Sequence, residues 1–250
     1  MFKCLALSTL VVFLACASTR AQQPSQAGTL ASQKIAAGGA TLAIDSQESG
    51  GTAHRTTTTT LSWTFTNTAG TLLVCGFVLT HSAAAASVTS GPTYNSVSMG
   101  TQDVSVNWDG TNSLGRIYHL VSPATGANTV SITGTNVEAI LGGCISFTNQ
   151  NATPIGGTSS GSGTVGATTA TAGALTVASG NYLFACGGWG SGTGGTAGTG
   201  FTTTALINGS GNTGGDNFLA EYKLSTGGST TPTFTWTGSD LWGIVVVEVK

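Results

Sequence analysis

Thr129-Val130-Ser131-Ile132-Thr133-Gly134 alternates hydroxyl and branched apolar side chains, and 104 residues later Thr233-Phe234-Thr235-Trp236-Thr237-Gly238 does the same. Successive side chains of a strand point to opposite faces, so each segment reads as a strand with one face in a core and the other in water. The same landmarks surround both. Tyr118-His119-Leu120 and Ile140 flank the first, while Tyr222-Lys223-Leu224 and Ile244 flank the second at the same spacing, and a Thr-Gly pair precedes each, at Thr125-Gly126 and Thr226-Gly227. Further upstream, Val74-Cys75-Gly76 matches Ala185-Cys186-Gly187 at a spacing of 111. The chain therefore reads as a diverged duplication of one β-unit, each copy needing a partner to bury its apolar face.

Other short apolar and β-branched runs extend this pattern, among them Leu61 to Phe65, Leu72 to Leu79, Ile140 to Phe147, Tyr182 to Cys186 and Leu241 to Val249. Clusters of Gly, Asn, Pro and Ser separate them, and no amphipathic helical pattern of ten or more residues follows the N-terminal leader. This is the signature of an all-β chain, expected as a two-sheet antiparallel β-sandwich.

Met1-Phe2-Lys3, an apolar run from Cys4 to Ala17 and the exit Ser18-Thr19-Arg20-Ala21 have the parts of a secretory signal peptide. The apolar run falls short of the roughly 20 residues that span a bilayer, so no transmembrane segment is expected in the mature protein. Cleavage is expected after Ala21, giving a signal peptide over 1–21, a Gly/Ala/Gln-rich linker over 22–39 and a single β-sandwich domain over 40–250. Cys16 behind Phe13-Leu14-Ala15 offers the alternative of a lipid anchor, although Phe13 and Leu14 suit a lipobox poorly. The expected location is secreted and extracellular.

Seven Lys/Arg stand against nine Asp/Glu, and losing Lys3 and Arg20 with the leader takes the formal charge from −2 to −4. No basic cluster is present to neutralise phosphates, which argues against nucleic acid as a partner. Charged residues make up only 6% of the chain, against about 25% in ordinary globular domains. Thr, Ser, Gly and Ala supply the surface instead, which suits an extracellular or assembled protein.

Cys75, Cys144 and Cys186 each sit in an apolar strand-like run and read as small buried packing residues. Export leaves one disulfide open, and the odd count then leaves one thiol over. No Cys-x-x-Cys or His-x-x-x-His spacing occurs, so neither a metal site nor a cofactor is expected.

Leu72-Leu73-Val74-Cys75-Gly76, Ser87 to Asn95, Tyr118 to Ile132, Ile145-Ser146-Phe147-Thr148-Asn149 and the closing Trp242 to Val249 together resemble a family of secreted bacterial jelly-roll-like sandwich domains. The resemblance covers roughly residues 60–250 and implies a jelly-roll-like β-sandwich of extracellular and surface proteins, with no activity attached. Cys75, Cys144 and Cys186 depart from it, standing where such domains carry small aliphatic residues.

Little in the chain reads as catalytic machinery, and no catalytic residue is assigned. Gly157-Thr158-Ser159-Ser160-Gly161 fits Gly-x-Ser-x-Gly, with His54, His81 and His119 as bases, but that motif needs a strand-to-helix elbow and lies here in a Gly/Ser/Thr stretch. A glycoside hydrolase needs two carboxylates facing each other across a cleft, and no sequence feature selects such a pair from Asp103, Asp109, Glu138, Asp216, Glu221, Asp240 and Glu248. Asn107-Trp108-Asp109-Gly110-Thr111-Asn112 is a hairpin turn on its Asp-Gly pair, and it lacks the acidic twelfth position of a calcium loop. Trp108 has only polar neighbours, so an exposed ring is expected. It becomes the candidate sugar platform, with Asn107, Asp109 and Asn112 bonding hydroxyls; Trp189, flanked by glycines, reads equally as core or as a second platform. The leading expectation is a non-catalytic extracellular binding module, most plausibly for a polysaccharide. A structural surface or matrix subunit that self-assembles is the alternative, with glycoside hydrolysis a minor one.

Overall fold

The computed structural model describes residues 40–48, 53–110, 112–207 and 216–250. The signal-peptide and linker readings over 1–21 and 22–39 lie outside the described residues. The described chain is built from strands. The first half runs β1 (Ala43–Gln47), β2 (His54–Thr56), β3 (Thr60–Asn67), β4 (Leu72–His81), β5 (Ser87–Tyr94), β6 (Val97–Ser98), β7 (Val104–Trp108), β8 (Ser113–Val121), β9 (Gly126–Thr135) and β10 (Val137–Thr148). The second runs β11 (Ile155–Thr171), β12 (Leu175–Val177), β13 (Tyr182–Trp189), β14 (Thr193–Ala197), β15 (Thr202–Ile207), β16 (Asn217–Leu224), β17 (Gly228–Thr230) and β18 (Thr233–Val249).

The expected antiparallel sandwich is present, and it is built twice. In the first half β1-β10-β4-β8-β7 form an inner sheet, with β2 also on β10, and β3-β9-β5-β6 form an outer one. The second half repeats the inner order as β11-β18-β13-β16-β15. Its β11 and β18 are 17 residues long and turn a corner. Beyond the corner, Thr169 to Thr171 of β11 pair with Thr233 to Thr235 of β18, and β14 pairs with the same stretch, repeating the β3-β9-β5 order. The ribbon β12-β17 completes this outer layer. Each half is thus a jelly-roll-like sandwich in which the first strand lies beside the last.

Three apolar layers follow from this stacking. Trp63, Phe65, Phe77, Tyr94, Val130 and Ile132 fill the first sandwich. Leu183, Trp189, Leu219, Phe234, Trp236 and Ile244 fill the second. Val74, Val78, Ile117, Phe184, Phe218 and Val245 fill the space between the two inner sheets. β3, with one wet face, shows strict alternation of exposed and buried residues, whereas the first eight residues of β4 are all buried. A strand covered on both faces has no polar side, which is why Leu72 to Leu79 and Leu241 to Val249 read as continuous apolar runs.

The duplication holds at some landmarks and fails at others. Val130 and Ile132 match Phe234 and Trp236 in filling their own sandwich, as do Ile140 and Ile244. Tyr118 faces the first sandwich, but Tyr222 packs against the layer between the sandwiches, and Cys75 and Cys186 differ in the same way. A one-residue change of register moves a side chain to the opposite face, so the spacings of 104 for the tyrosines and 111 for the cysteines do not mark equivalent positions.

Glycines let the inner sheets meet. A side chain at Gly76 would strike the Cys186 sulfur, one at Gly188 would come within 2.9 Å of Val78, and one at Gly143 within 2.7 Å of Ala205. Along β10, pairing with β1 ends at Ile145 and pairing with β2 begins at Gly142. Buried Glu48 covers the break: its Oε1 accepts the Cys144 N–H at 2.8 Å and the Trp63 indole N–H at 3.1 Å, and its Oε2 lies 3.0 Å from His54 Nε2. His54 stacks on Trp63 with ring centroids 4.8 Å apart.

The cysteine reading is corrected in part. Cys75 and Cys144 lie directly opposite each other on β4 and β10 and are joined as a disulfide. Cys186 is a free, fully buried packing residue, and burial pushes its thiol well above the usual range. Thiol labelling of unfolded, unreduced protein followed by peptide mapping is expected to mark Cys186 but neither Cys75 nor Cys144. Prior reduction should expose all three, and in the native state none should react. Reduction is expected to lower stability by about 2–4 kcal/mol, the usual contribution of a native disulfide.

Candidate functional site

β7 is the edge strand of the first inner sheet, and its last residue, Trp108, turns inward. Its indole lies over Gly243 of β18 and near Gly115 of β8, 3.3 Å from where a Cβ would stand on Gly115. Only 5% of Trp108 is exposed, which corrects the expectation of a free ring. The polar neighbours misled because the surfaces that bury the ring belong to strands remote in sequence. Trp189, left open between core and surface by its flanking glycines, is a core residue, at 1% exposure. Its ring stacks on Trp236 at 5.4 Å and packs on Phe234 at 5.5 Å, so its flanking glycines mark close packing of strands.

Beyond Trp108 the chain turns through Asp109 and Gly110, both at positive φ (55° and 65°), and the Asn112 N–H closes the loop on the Asp109 carbonyl at 3.1 Å. The hairpin reading of the Asp-Gly pair is correct. Asn107 is exposed, while Asp109 and Asn112 are half-buried. Asp109 Oδ2 lies 3.0 Å from His81 Nδ1, and Ser113 Oγ lies 3.3 Å from the same nitrogen. A Ser-His-Asp relay uses the two ring nitrogens separately, one for the nucleophile and one for the acid. Here both partners share Nδ1, so the trio is a positioning network.

Two adjoining cavities open at this end of the inner sheets. A groove of about 260 Å³ runs between Asn107, Trp108, Asp109 and Gly110 on one side and Ser162, Gly163 and Leu241 on the other. Next to it lies a cavity of about 180 Å³, whose walls include Trp108, Trp189, His81 and Ser113 with four carboxylates, Asp109, Glu138, Asp216 and Asp240. The structure therefore brings Asn107, Trp108, Asp109 and Trp189 to one place, with Asn112 in the adjoining loop. Both are smaller than the roughly 300–1,000 Å³ pockets that take drug-sized ligands.

The carboxylates differ in their engagements. Asp216, 1% exposed, binds Arg55 Nη2 through Oδ2 at 2.7 Å. Asp240 accepts the backbone N–H of Ser191 and, at 2.7 Å, that of Leu241. Glu138 is exposed at an irregularity where β10 leaves its register with β4. Sequence reading weighed His81 as a base and Glu138, Asp216 and Asp240 as carboxylates of a hydrolase but assigned none of them, nor Ser113, to the site. No local spacing signals them, because the cavity joins strand ends from both halves; Arg55 and Asp216 are 161 positions apart.

The serine motif has no elbow. Ser159 and Ser160 lie within β11, opposite Val246 and Val245, and Ser159 Oγ donates to the Gly173 carbonyl at 2.8 Å. Among the described residues no group of three or more His, Cys, Asp or Glu is arranged to hold a metal ion. Another buried acid lies away from the cavities: Glu221, fully buried on β16, has its pKa raised to about 8 by desolvation, which outweighs the hydrogen bond from the Gly198 N–H.

Two outcomes are expected. Trp108→Ala should lower stability by about 3–5 kcal/mol in chemical unfolding, as for truncation of a core aromatic, whereas a surface ring would change it by less than about 0.5 kcal/mol. For Glu221, the folded protein holds its proton up to about pH 8 while the unfolded chain releases it near 4.5. Stability from this group is therefore full below the unfolded value and is lost as pH rises through that window. Glu221→Gln should raise Tm at pH 8.5 and change it little at pH 4, as read by a melting series across pH.

No protein-family model, curated protein or solved structure matches this chain.

Proposed function

We propose that the protein is a secreted, non-catalytic binding module that takes a glycan at the Trp108 end of its two inner sheets. The observation that carries this reading is the paired groove and cavity, where Asn107, Asp109, His81 and Ser113 present polar groups beside the rim of Trp108. Sugar hydroxyls both donate and accept, and such a mixed lining suits them. With the Trp108 ring packed inward, recognition rests on hydrogen bonds within a small concavity rather than on a broad aromatic platform.

Binding is better supported than hydrolysis. Asp109, Asp216 and Asp240 are each held by a fixed partner, whereas an acid-base pair needs carboxyl groups free to exchange protons with the substrate. The structural-subunit reading draws on the charge-poor surface. Against apolar assembly, the large hydrophobic side chains exposed among the described residues are Val97, Val121 and Leu224, far short of the broad apolar patches that mark permanent interfaces.

Affinity electrophoresis on a panel of polysaccharides, paired with size-exclusion chromatography, tests the proposal. The wild-type protein should run as a monomer or small oligomer and be retarded by at least one polysaccharide without cleaving it. Asn107→Ala and Asp109→Ala should each weaken retention about tenfold, equivalent to about 1.4 kcal/mol. Elution as large assemblies, with no retention on any gel, would establish the structural subunit instead.

A further inference from the structure

We propose that the turn at 198–201, between β14 and β15, is a lid on the second sandwich, latched by the protonated side chain of Glu221 and opened when that proton is lost. It lies apart from the Trp108 cavities and does not depend on the glycan reading. Glu221 stands on β16 opposite Ala185 of β13 and Thr203 of β15. Alternate residues of a strand share a face, so it points with Leu219 into the second core, and it is fully buried there. Its Oε2 accepts the Gly198 N–H at 2.8 Å, which ties the turn to β16. Its Oε1 is buried with no hydrogen-bond partner among the described residues.

The turn is shaped to sit down on this carboxyl. Gly198 fits against the Thr233 carbonyl of β18, where any side chain would collide. The Phe201 N–H closes the turn on the Gly198 carbonyl at 2.9 Å, and Gly200 takes the positive φ of 76° that the reversal requires. Phe201 then packs, half-buried, against the second core, with the Lys223 ammonium 5.5 Å from its ring centroid. Because β13 and β15 pair with β16 on either side of Glu221, the turn is the part of the enclosure that moves without breaking a sheet.

Ionisation undoes the latch. A buried carboxylate costs far more than a buried carboxylic acid unless donors or a cation surround it, and desolvation accordingly raises the Glu221 pKa to about 8 against the opposing Gly198 hydrogen bond. Few charges face the group. β13, β14 and β15 contain no Asp, Glu, Lys, Arg or His, and Tyr182, Cys186 and Tyr222 face the layer between the sandwiches. On β16, Lys223 shares the face of Glu221 two residues on, its ammonium engaged over Phe201. On β18, Asp240 is at the Trp108 cavity, and Glu248 stands one row along and two strands away, accepting from Gly157 and Asn181. A new carboxylate therefore gains solvation by admitting water at the turn, and it draws Lys223 off the Phe201 ring. Both steps lift the same residue. The folded protein keeps the proton below about pH 8, so the lid is shut in acid and at neutrality and opens as pH rises through that value.

Chymotrypsin, which cuts after an accessible Phe, reads the lid in the full chain, with its activity calibrated at each pH on a small peptide substrate. For a group titrating near pH 8 the ionised fraction goes from about one-tenth at pH 7 to about nine-tenths at pH 9. Cleavage after Phe201, followed by mass spectrometry, is therefore expected to quicken about tenfold over that interval, with a single-proton midpoint near pH 8. Cleavage after Phe65 and Phe147 in the first half, both buried, should stay slow throughout. Glu221→Gln, which cannot ionise, should hold the Phe201 rate at its pH 7 value, and Glu221→Leu is a second non-ionising variant should the first fail to fold. A flat wild-type profile would overturn the proposal, as would an equal rise in a folded variant. Simultaneous acceleration at Phe65, Phe147 and Phe201 would show general alkaline unfolding and overturn it as well.

Discussion

Contact between the two inner sheets is the constraint on which the rest of the molecule depends. Alternate residues of β4, β10, β13 and β18 point into it, and each fully buried Val, Leu or Phe there contributes about 1.5–3 kcal/mol relative to exposure. Glycine lets the sheets close at particular side chains: Gly76 beneath Cys186, Gly188 beneath Val78, Gly243 beneath Trp108. A methyl group at any of these positions would hold the sheets apart, since close-packed interiors have little slack to absorb it. The outer sheets then need only one apolar face each, and β3 shows it in its alternation.

The same closure makes the candidate site. Trp108 reaches out of one sheet and lies on the other, where β4, β7 and β13 finish, β10 begins and β18 passes in mid-strand. Loop residues and strand termini meet there, and they carry much of the sparse charge that the chain has: Asp109, Glu138, Asp216, Asp240, with Arg55 close behind. Polar groups gather at this mouth because the faces of the inner strands are committed to packing.

Fold class was legible because period-two alternation is a local property. Thr129 to Gly134 and Thr233 to Gly238 revealed strands, and their common surroundings revealed two related units. The layering was not legible, because continuous apolar runs such as Leu72 to Leu79 say that both faces are covered without saying by what. Register was the other loss: residue identity matched Tyr118 to Tyr222, but pairing with neighbouring strands put them on opposite faces. For the site, Asn107, Trp108 and Asp109 stood out for their turn chemistry and did line the cavities, yet the expected exposed ring of Trp108 was wrong. Burial of Trp108 is decided by Gly115 and Gly243, and the acidity of the cavity by residues from both halves. Neither has a local signature. The Cys75–Cys144 bond needed the register of β4 against β10, which no spacing along the chain encodes.

In both sandwiches the strand that opens the unit pairs with the strand that ends it: β1 lies on β10, and β11 on β18. Neither inner sheet can acquire its edge until the final strand of its half has arrived, and the layer between the sandwiches waits on both. Folding is therefore governed by closure of loops on the order of a hundred residues, a topology associated with slow rates. Such a chain has few local resting places on the way. Hairpins such as β7-β8 join neighbouring segments, but neither sandwich is complete until its last strand pairs with its first.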